Sequence, residues 1–266
     1  MNDHHPPQVP ALATAAYLPL MRALVTGLRR HGGVGADAHL VVACSGGRDS
    51  VALLRGLALL AGRRGWRLRL TAVHVQHHLR GAAAEGDAAF VAELAEELGV
   101  AYLRRDVRPG PLPGNVEANA RRLRYAALRQ AAESCGANFV ATAHHADDQL
   151  ETLLMAMLRG TTAAGMRGIA RRRPLSPGVT PIRPMLDATH DQATAFLGHL
   201  DQPWREDATN RDTGRTRARL RRDVLPTLRN LRPDAALKAL RLSDAMRELI
   251  QATSGSADAA HAADSA

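Results

Sequence analysis

The chain has 266 residues, enough for one large or two small domains, and it is 45% hydrophobic but only 3% aromatic, which predicts an aliphatic core. No stretch approaches the roughly 18 apolar residues of a membrane span. Residues 1–10 lack the pattern of a signal peptide, so we expect a cytoplasmic protein without membrane contact. The net charge of +9 favours a polyanionic partner, although 34 of the 35 basic residues are arginine, a bias that a GC-rich genome would also produce.

The order of helical and extended patterns predicts the fold class. After residues 1–16, which we expect to be disordered, an amphipathic helix is predicted over residues 18–30. Apolar runs predict strands at about 39–44, 68–75, 100–107 and 138–142, each followed by a helical pattern. This alternation predicts an α/β fold with a doubly wound, Rossmann-like parallel sheet and right-handed crossovers.

The character of the chain changes after Gly160. Residues 181–186 can form an extended segment, and helices are predicted over residues 190–200 and 231–251. Residues 205–232 contain nine arginines against four acids, a density that favours contact with a phosphate backbone but is also typical of a solvated surface. We therefore expect an α/β domain over residues 17–200, a smaller basic helical region over 201–251, and a disordered tail over 252–266.

A turn with two glycines separates the first predicted strand from the helix that follows. It reads SGGRDS at Ser45–Ser50, and the glycines let the backbone approach an anion closely. The helix start directs free N–H groups and the positive end of its dipole at the same place. The turn lacks the lysine of a Walker loop, so we do not interpret it as one. It resembles the phosphate loop of the PP-loop ATP pyrophosphatase superfamily, whose members cleave ATP between the α and β phosphates.

Further polar side chains follow the other strands, at the edge where open parallel sheets bind ligands. The second strand runs into HVQHHLR at residues 74–80. Arg121 and Arg124 are three residues apart on the helix after the third strand. Since Glu117 shares their face, an ordinary solvated ion pair is the simplest interpretation of that group taken alone.

Two carboxylates open the helix after the fourth strand. Asp147 and Glu151 are four residues apart and can share one face, where the helix dipole favours negative charge. The structural alternative is that Asp147 caps the helix and Glu151 lies on the surface. His144 and His145 precede them, but no third and fourth ligand has suitable spacing, so we do not expect zinc.

The chain contains the following motifs in this order: SGGRDS, HVQHHLR, NVEANARRLRY, ATAHHADDQLET, LRG, GMRG, RPML, and REDATN with RARLRRDVLP. Over about residues 40–226 this set resembles the tRNA(Ile)-lysidine synthase family, in its short form. The resemblance implies that ATP, Mg²⁺ and free L-lysine modify the wobble cytidine of tRNA(Ile) with a CAU anticodon. The cytosine C2 oxygen would attack the α-phosphate and release pyrophosphate, and the lysine ε-amine would then displace AMP to give lysidine.

The same resemblance implies roles for individual residues. Catalytic roles fall to Asp49, Asp147, Glu151 and Arg121. ATP would be bound by Ser45, Gly46, Gly47, Arg48, Asp49, Ser50, His77 and Arg80. The lysine would be bound by Arg124, Asp147 and Glu151, and Mg²⁺ by Asp49 and Asp147. The tRNA would contact Arg205, Arg217, Arg221 and Arg222, with a homodimer as one arrangement that would extend this surface.

Departures from the family pattern leave alternatives open. This chain has Arg217-Ala218 where the family often has Arg-Asn, Gln76 where Asn or Asp is common, and Cys44 in place of a small residue. One alternative is a PP-loop cytidine thiolase, although those enzymes use paired cysteines and this chain has only Cys44 and Cys135, far apart and outside any CxxC. The other is a non-catalytic RNA-binding protein that keeps a nucleotide pocket.

Overall fold

The computed structural model describes residues 18–76, 82–107, 116–206 and 216–263. Contacts divide these residues into two compact units. The described parts of Met1–Ala143 and Arg171–Glu206 form the first unit, and those of His144–Ala170 and Asp207–Ala266 form the second. Within the described residues, no helix combines the length and the apolar character that crossing a membrane requires.

The first unit contains one five-stranded parallel sheet. Its strands are β1 (His39–Ala43), β2 (Arg69–Gln76), β3 (Ala101–Asp106), β4 (Phe139–Ala141) and β5 (Thr180–Ile182). They lie in the order β3-β2-β1-β4-β5, and every neighbouring pair is parallel. This confirms the predicted doubly wound sheet. The segment that the sequence indicated only as extended supplies the fifth strand.

The central strand β1 is apolar on both faces because helices cover both sides of the sheet. Leu40 and Val42 belong to one core, whereas Val41 and Ala43 belong to another, as the two-residue period of a strand requires. The first core is packed by α1 (Leu18–Thr26), α2 (Arg48–Ala61), α3 (Ala82–Glu97) and α6 (His190–His199). The second core is packed by α4 (Val116–Cys135).

The strand order places a crevice beside β1. The chain leaves β1 toward β2 and β3 on one side, and β4 and β5 lie on the other, so the direction of winding reverses between β1 and β4. In open α/β sheets, ligands bind in the crevice outside the carboxyl ends of the strands at such a point. The predicted phosphate loop follows β1 and therefore lies at this crevice.

The second unit is helical and has its own small core. It contains α5 (Ala146–Leu158), a 3₁₀ turn (Ala163–Arg167), α7 (Thr216–Arg219), a π turn (Leu220–Val224), α8 (Leu225–Leu231) and α9 (Ala235–Ala263). Leu150 and Leu153 of α5 pack with Leu225 of α8 and Ala239 of α9. The amide oxygen of Gln149 accepts a 2.7 Å hydrogen bond from the Ile169 N–H, which fixes the chain after α5.

The structure divides the chain differently from the predicted boundary at residue 200. The described residues of 144–170 and 207–266 group together because the apolar stripe of α5 is buried against α8 and α9. Of the tail expected to be disordered over residues 252–266, residues 252–263 belong to α9, which continues to Ala263. Four alanines at the end of α9 account for the extension, because alanine has a high helix propensity. Residues 1–16, also predicted to be disordered, lie outside the described residues.

Replacing either of two glycines of the first unit with alanine should change its stability in opposite directions. A Cβ on Gly27, in the π-helical turn after α1, would lie 2.2 Å from the Pro184 carbonyl oxygen, so Gly27→Ala should destabilise the unit by about 1–3 kcal/mol or more. Gly198 of α6 has no atom within 4 Å of the same position, and Gly198→Ala should stabilise the unit by about 0.5–1 kcal/mol. The stability of both variants is measured by urea unfolding, monitored through the fluorescence of Trp66 and Trp204. Equal midpoints for the two variants would contradict the packing at Gly27.

Candidate active site

The phosphate loop joins β1 to α2, and its backbone requires glycine at Gly46. This residue has φ +87°, a left-handed conformation that strains other residues. A Cβ there would also lie 3.4 Å from Cγ of Arg205 and 3.5 Å from the Phe90 ring. Gly47 is extended and is the N-cap of α2. The first N–H groups of α2 have no acceptor within the helix, so the loop presents backbone donors at the crevice.

A hydroxyl from the first turn of α2 holds the loop closed. The Oγ of Ser50 accepts a 3.1 Å hydrogen bond from the Ser45 N–H and donates a 2.8 Å bond to the Gly47 carbonyl. Ser50 is buried, whereas Ser45 is exposed, with its own Oγ 3.2 Å from that of Ser50. Of the two serines predicted to bind ATP, Ser50 maintains the shape of the loop, and Ser45 offers a hydroxyl at its surface.

Asp49 follows the loop and contacts a histidine from α6. The Nδ1 of His190 lies 3.2 Å from Oδ1 of Asp49, and its Nε2 contacts the Arg48 guanidinium. Since arginine can only donate, Nε2 accepts, and the ring proton on Nδ1 is donated to the carboxylate. This neutral tautomer of His190 orients the Asp49 carboxylate. Sequence analysis missed His190, for which the only signal was its position at the start of a predicted helix.

Arg48, another predicted ATP contact, turns its side chain toward α6. Its Nη1 donates a 3.1 Å hydrogen bond to Thr194, and its guanidinium carbon lies 5.3 Å from the centre of the Trp204 ring. The side chain therefore clamps the first turn of α2 to residues 190–204. At this position the backbone N–H, which has no acceptor within the helix, is the donor available to an anion.

Arg205, predicted to bind tRNA, lies against the phosphate loop. Its N–H donates a 2.9 Å hydrogen bond to the Gly46 carbonyl, and its Nε donates a 3.0 Å bond to Asp87 of α3. The guanidinium also lies 3.1 Å from where a Cβ on Gly86 would be. Arg205 thus supports the loop through its backbone and holds a positive charge beside it.

The histidine segment after β2 is described only in part. His77 and Arg80, both predicted to bind ATP, lie outside the described residues. His74 is buried in β2, and its Nδ1 donates a 3.1 Å hydrogen bond to the Cys44 carbonyl, so the ring supports the residue before the loop. Burial lowers the pKa of His74, which keeps the ring neutral in that position.

Arginines gather around Tyr125, in the middle of α4. The Arg121 guanidinium carbon lies 5.1 Å from the centre of the Tyr125 ring, and Nη2 of Arg183 donates a 3.3 Å hydrogen bond to the Tyr125 hydroxyl. Arg124 acts electrostatically on the same tyrosine. The structure thus brings the predicted pair Arg121 and Arg124 together with Arg183, which the sequence analysis did not select. Its signals were its place in the RPML motif and its position directly after the apolar end of β5.

The acidic start of α5, in the second unit, is capped by Asp148. Its Oδ2 accepts a 3.0 Å hydrogen bond from the His145 N–H, so Asp148 forms the cap that the structural alternative assigned to Asp147. Burial would raise the pKa of Asp148, but the charges of His145 and His144 and the bond from the His145 backbone outweigh it and hold the pKa below its usual value. Asp148 is therefore a carboxylate at neutral pH.

The two predicted catalytic acids of α5 are paired with arginines of the same unit. Nε of Arg217 lies 2.8 Å from Glu151, and Arg221 donates to the other oxygen of the same carboxylate. Asp147 accepts bonds of 3.0 and 2.8 Å from Nε and Nη2 of Arg229. Both acids are almost fully buried, so each guanidinium compensates a desolvated charge.

Burial also affects the protonation of Glu151. It raises the pKa of this carboxyl more than Arg221 and Arg217 lower it, and the nearby Asp148 raises it further.

Arg222, predicted with Arg217 and Arg221 to bind tRNA, is different, since it is exposed and pairs with its neighbour Asp223 at 2.6 Å. The acid–arginine network of the second unit thus contains Arg217 and Arg221 but not Arg222.

Comparisons with known proteins agree with this geometry. The model of a family described as the PP-loop domain matches residues 26–228. A tRNA(Ile)-lysidine synthase of Symbiobacterium thermophilum is 40% identical over 235 residues, which is 87% of this chain and 48% of that protein. A protein of the same name from Geobacter sulfurreducens is 36% identical over 82% of this chain and 46% of its own length. The chain thus spans about half the length of these curated relatives.

A solved structure has the same fold. The U34-tRNA thiolase of Methanococcus maripaludis, solved with its 4Fe-4S cluster, superposes with a TM-score of 0.69 over 86% of this chain and 78% of that protein, at 18% identity. At that identity the likeness supports the fold alone. The phosphate loop at the switch point of a parallel sheet, together with the family match over residues 26–228, shows that the chain belongs to the PP-loop domain family.

Proposed function

We propose that the chain ligates L-lysine to C2 of the wobble cytidine of tRNA(Ile) with a CAU anticodon, using ATP and passing through an adenylated cytidine. The observation that carries this proposal is the phosphate loop at the head of α2, in a chain 40% identical over 235 residues to a protein named tRNA(Ile)-lysidine synthase. In the first step the cytosine C2 oxygen bonds to the α-phosphorus and the bond to pyrophosphate breaks. In the second, the lysine ε-amine bonds to C2, loses a proton, and AMP leaves.

The first unit supplies the groups for the adenylation step. The backbone N–H groups at the start of α2 and the hydroxyl of Ser45 bind phosphate oxygens, and the closed loop keeps them oriented before ATP arrives. His190 holds the Asp49 carboxylate in place. This preorganisation lowers the barrier, because the donors do not have to reorganise as charge moves onto the leaving pyrophosphate.

The donor set at Asp49 fits magnesium. A carboxylate and neighbouring hydroxyls are hard oxygen ligands, which Mg²⁺ prefers, and Asp49 is partly exposed beside the loop. When bound, Mg²⁺ would neutralise phosphate charge. Asp147 was predicted as a second ligand; its Oδ1 accepts both bonds from Arg229, so a cation at that oxygen would have to displace the guanidinium.

The second unit supplies the proposed lysine site. Glu151 and Asp147 are buried carboxylates, and each holds a guanidinium in this structure. A lysine ammonium has the same charge and can replace a guanidinium at a carboxylate. We infer that lysine displaces Arg217 and Arg221 from Glu151, which frees these half-exposed arginines to contact tRNA phosphates.

The thiolase alternative has less support. A solved thiolase shares the fold and carries an iron–sulfur cluster, which cysteines usually ligate. This chain has two cysteines, and Cys44 is buried at the end of β1, where burial raises the pKa of its thiol and disfavours the thiolate that ligates metals.

Labelled lysine tests the proposed reaction directly. We expect ATP- and Mg²⁺-dependent incorporation of labelled lysine into tRNA(Ile) with a CAU anticodon, and none into tRNA(Met), because the ligation is proposed to be specific for the isoleucine tRNA. The measurement is acid-precipitable label with each purified tRNA. Equal labelling of both tRNAs, or none of either, would rule the proposal out.

Asp49→Ala tests the phosphate loop. The variant should lose pyrophosphate release by roughly a hundredfold or more, because a charged group oriented beside the phosphates is removed. Asp191→Ala, which removes an exposed acid from α6, is the matched control and should retain activity. Pyrophosphate release is measured with a coupled assay, and unchanged circular dichroism shows that the fold is retained. Full activity of Asp49→Ala would refute this role for the loop.

Glu151→Gln separates a lysine-binding role from a purely structural one. If Glu151 binds the ammonium group, the KM for lysine should rise about tenfold or more, since a hydrogen bond between charged groups is lost. The KM for ATP should stay the same. Glu133→Gln, which removes an exposed partner of Arg129, is the control. An unchanged KM for lysine with weaker tRNA binding would instead show that Glu151 only holds Arg217 and Arg221.

A further inference from the structure

A group of arginines lies at the edge of the sheet opposite the crevice. β1 begins at His39 and β2 at Arg69, and these two residues are paired in the parallel register, so the turns that precede them lie at the amino edge of the sheet. The group is called the amino-edge patch and consists of Arg29 in the π-helical turn after α1, with Arg63, Arg64, Arg67 and Arg69 between α2 and the start of β2. The phosphate loop follows the other end of β1, whose five residues span about 17 Å.

Contacts with Trp66 hold the amino-edge patch together. The Trp66 N–H donates a 3.1 Å hydrogen bond to the Arg63 carbonyl, and the Trp66 carbonyl accepts a 3.0 Å bond from the Asp37 N–H. The guanidinium carbon of Arg29 lies 4.5 Å from the centre of the Trp66 ring, within the range of a cation–π contact. Because Trp66 is buried, its ring fixes Arg29 from below, while the arginine itself is exposed.

Most of the positive charge of the patch is uncompensated. Arg67 pairs with Asp37 at 2.8 Å, and it is the one arginine of the five that forms an ion pair among the described residues. Arg64 and Arg69 are exposed, and Arg63 is half-buried. The paired arginines of the acid–arginine network in the second unit differ, since buried carboxylates hold them. The amino-edge patch is thus a concentration of positive charge that is open to a partner.

The backbone of this region is strained. Three non-glycine residues among those described have a positive φ, and two of them are the ion-paired residues Asp37, with φ 61°, and Arg67, with φ 42°. Arginine is disfavoured in this left-handed conformation because its Cβ crowds the backbone. Strain of this kind is found mainly where side chains have a functional role. The strain therefore indicates that the charged side chain at position 67 is used.

An RNA backbone is the partner that the patch fits best. Guanidinium groups bind phosphate oxygens through paired N–H donors, and cations that neutralise RNA phosphates gain affinity because counterions are released. A membrane also presents phosphates, but binding at its surface needs apolar side chains that insert between lipids. Every exposed large hydrophobic side chain among the described residues lies in the second unit, so the patch has no such group.

We propose that the amino-edge patch binds phosphates of the tRNA at a part of that molecule remote from the wobble cytidine. The choice of tRNA as the RNA rests on the proposed function, in which the cytidine reacts at the crevice. Since the length of β1 separates the patch from the phosphate loop, these arginines do not touch the reacting atoms. They strengthen tRNA binding, so their loss raises the KM for tRNA and leaves kcat unchanged.

The salt dependence of tRNA binding tests the patch without turnover. Binding of a fluorescent tRNA(Ile) transcript is measured by anisotropy at several salt concentrations, without ATP or lysine. In the double variant Arg64→Gln/Arg69→Gln, the slope of log K against log salt should fall by about two, and the affinity at low salt about tenfold or more, because two phosphate contacts are lost. Arg104→Gln/Arg129→Gln is the matched control. It removes the same charge from arginines already paired with carboxylates and should keep the slope.

Asp37→Asn should have the opposite effect. It removes the carboxylate that pairs with Arg67, so tRNA should bind about two- to threefold more tightly at low salt. Asparagine tolerates the left-handed backbone of position 37, so the turn is retained. Should the double variant fail to fold, this variant carries the test.

Two results would overturn the inference. In one, the double variant binds the transcript with the same slope as its control, and Asp37→Asn binds it no more tightly than the unchanged chain. In the other, the double variant loses binding to vesicles of phosphatidylcholine and phosphatidylserine while its RNA binding is unchanged, which assigns the patch to a membrane.

The outcome is separable from that of the proposed function. A chain that transfers no lysine, but whose tRNA binding depends on Arg64 and Arg69, refutes the proposed function alone. A chain that transfers lysine, and whose double variant has an unchanged KM for tRNA, refutes the role of the patch alone.

Discussion

The structure of the first unit depends on one constraint, the reversal of the chain between a fully buried strand and a helix. β1 is buried along all five residues, so the chain can turn only beyond its end, at the edge of the sheet. The turn is tight enough to need Gly46 at φ +87°, with Arg205 and Phe90 packed against it. Because α2 starts there, its first N–H groups, which have no acceptor within the helix, lie at this edge of the sheet. The backbone donors at the head of α2 are thus a consequence of how a buried parallel strand must end.

Charge compensation distinguishes the two units. The second unit balances its buried acids with its own arginines, and any other cation must compete with those guanidinium groups. The first unit holds Arg121 and Arg124 without a carboxylate partner among the described residues. A compensated cluster is stable without a ligand, whereas an uncompensated one gains free energy when an anion binds. The same residue type therefore serves opposite purposes in the two units.

Patterns local in sequence allowed most of the fold to be predicted. The alternating strands and helices, the glycine turn and the acidic start of α5 depend on neighbouring residues, and each lies where it was expected. Contacts between distant residues could not be predicted. Nothing in the sequence near Arg205 indicates that its N–H binds Gly46, and nothing near His190 indicates Asp49. The grouping of α5 with α8 and α9 likewise depends on which apolar stripes meet.

The contacts of the phosphate loop have a consequence for the order of folding. Asp49 and Arg48 meet His190 across 141 and 142 residues of chain, and Asp87 meets Arg205 across 118. Contacts so distant in sequence form late, because the intervening chain must be ordered first. During synthesis, the loop leaves the ribosome long before the residues that clamp it. The nascent chain therefore carries the complete SGGRDS motif well before the contacts that clamp the loop, which are complete only once residue 205 has docked.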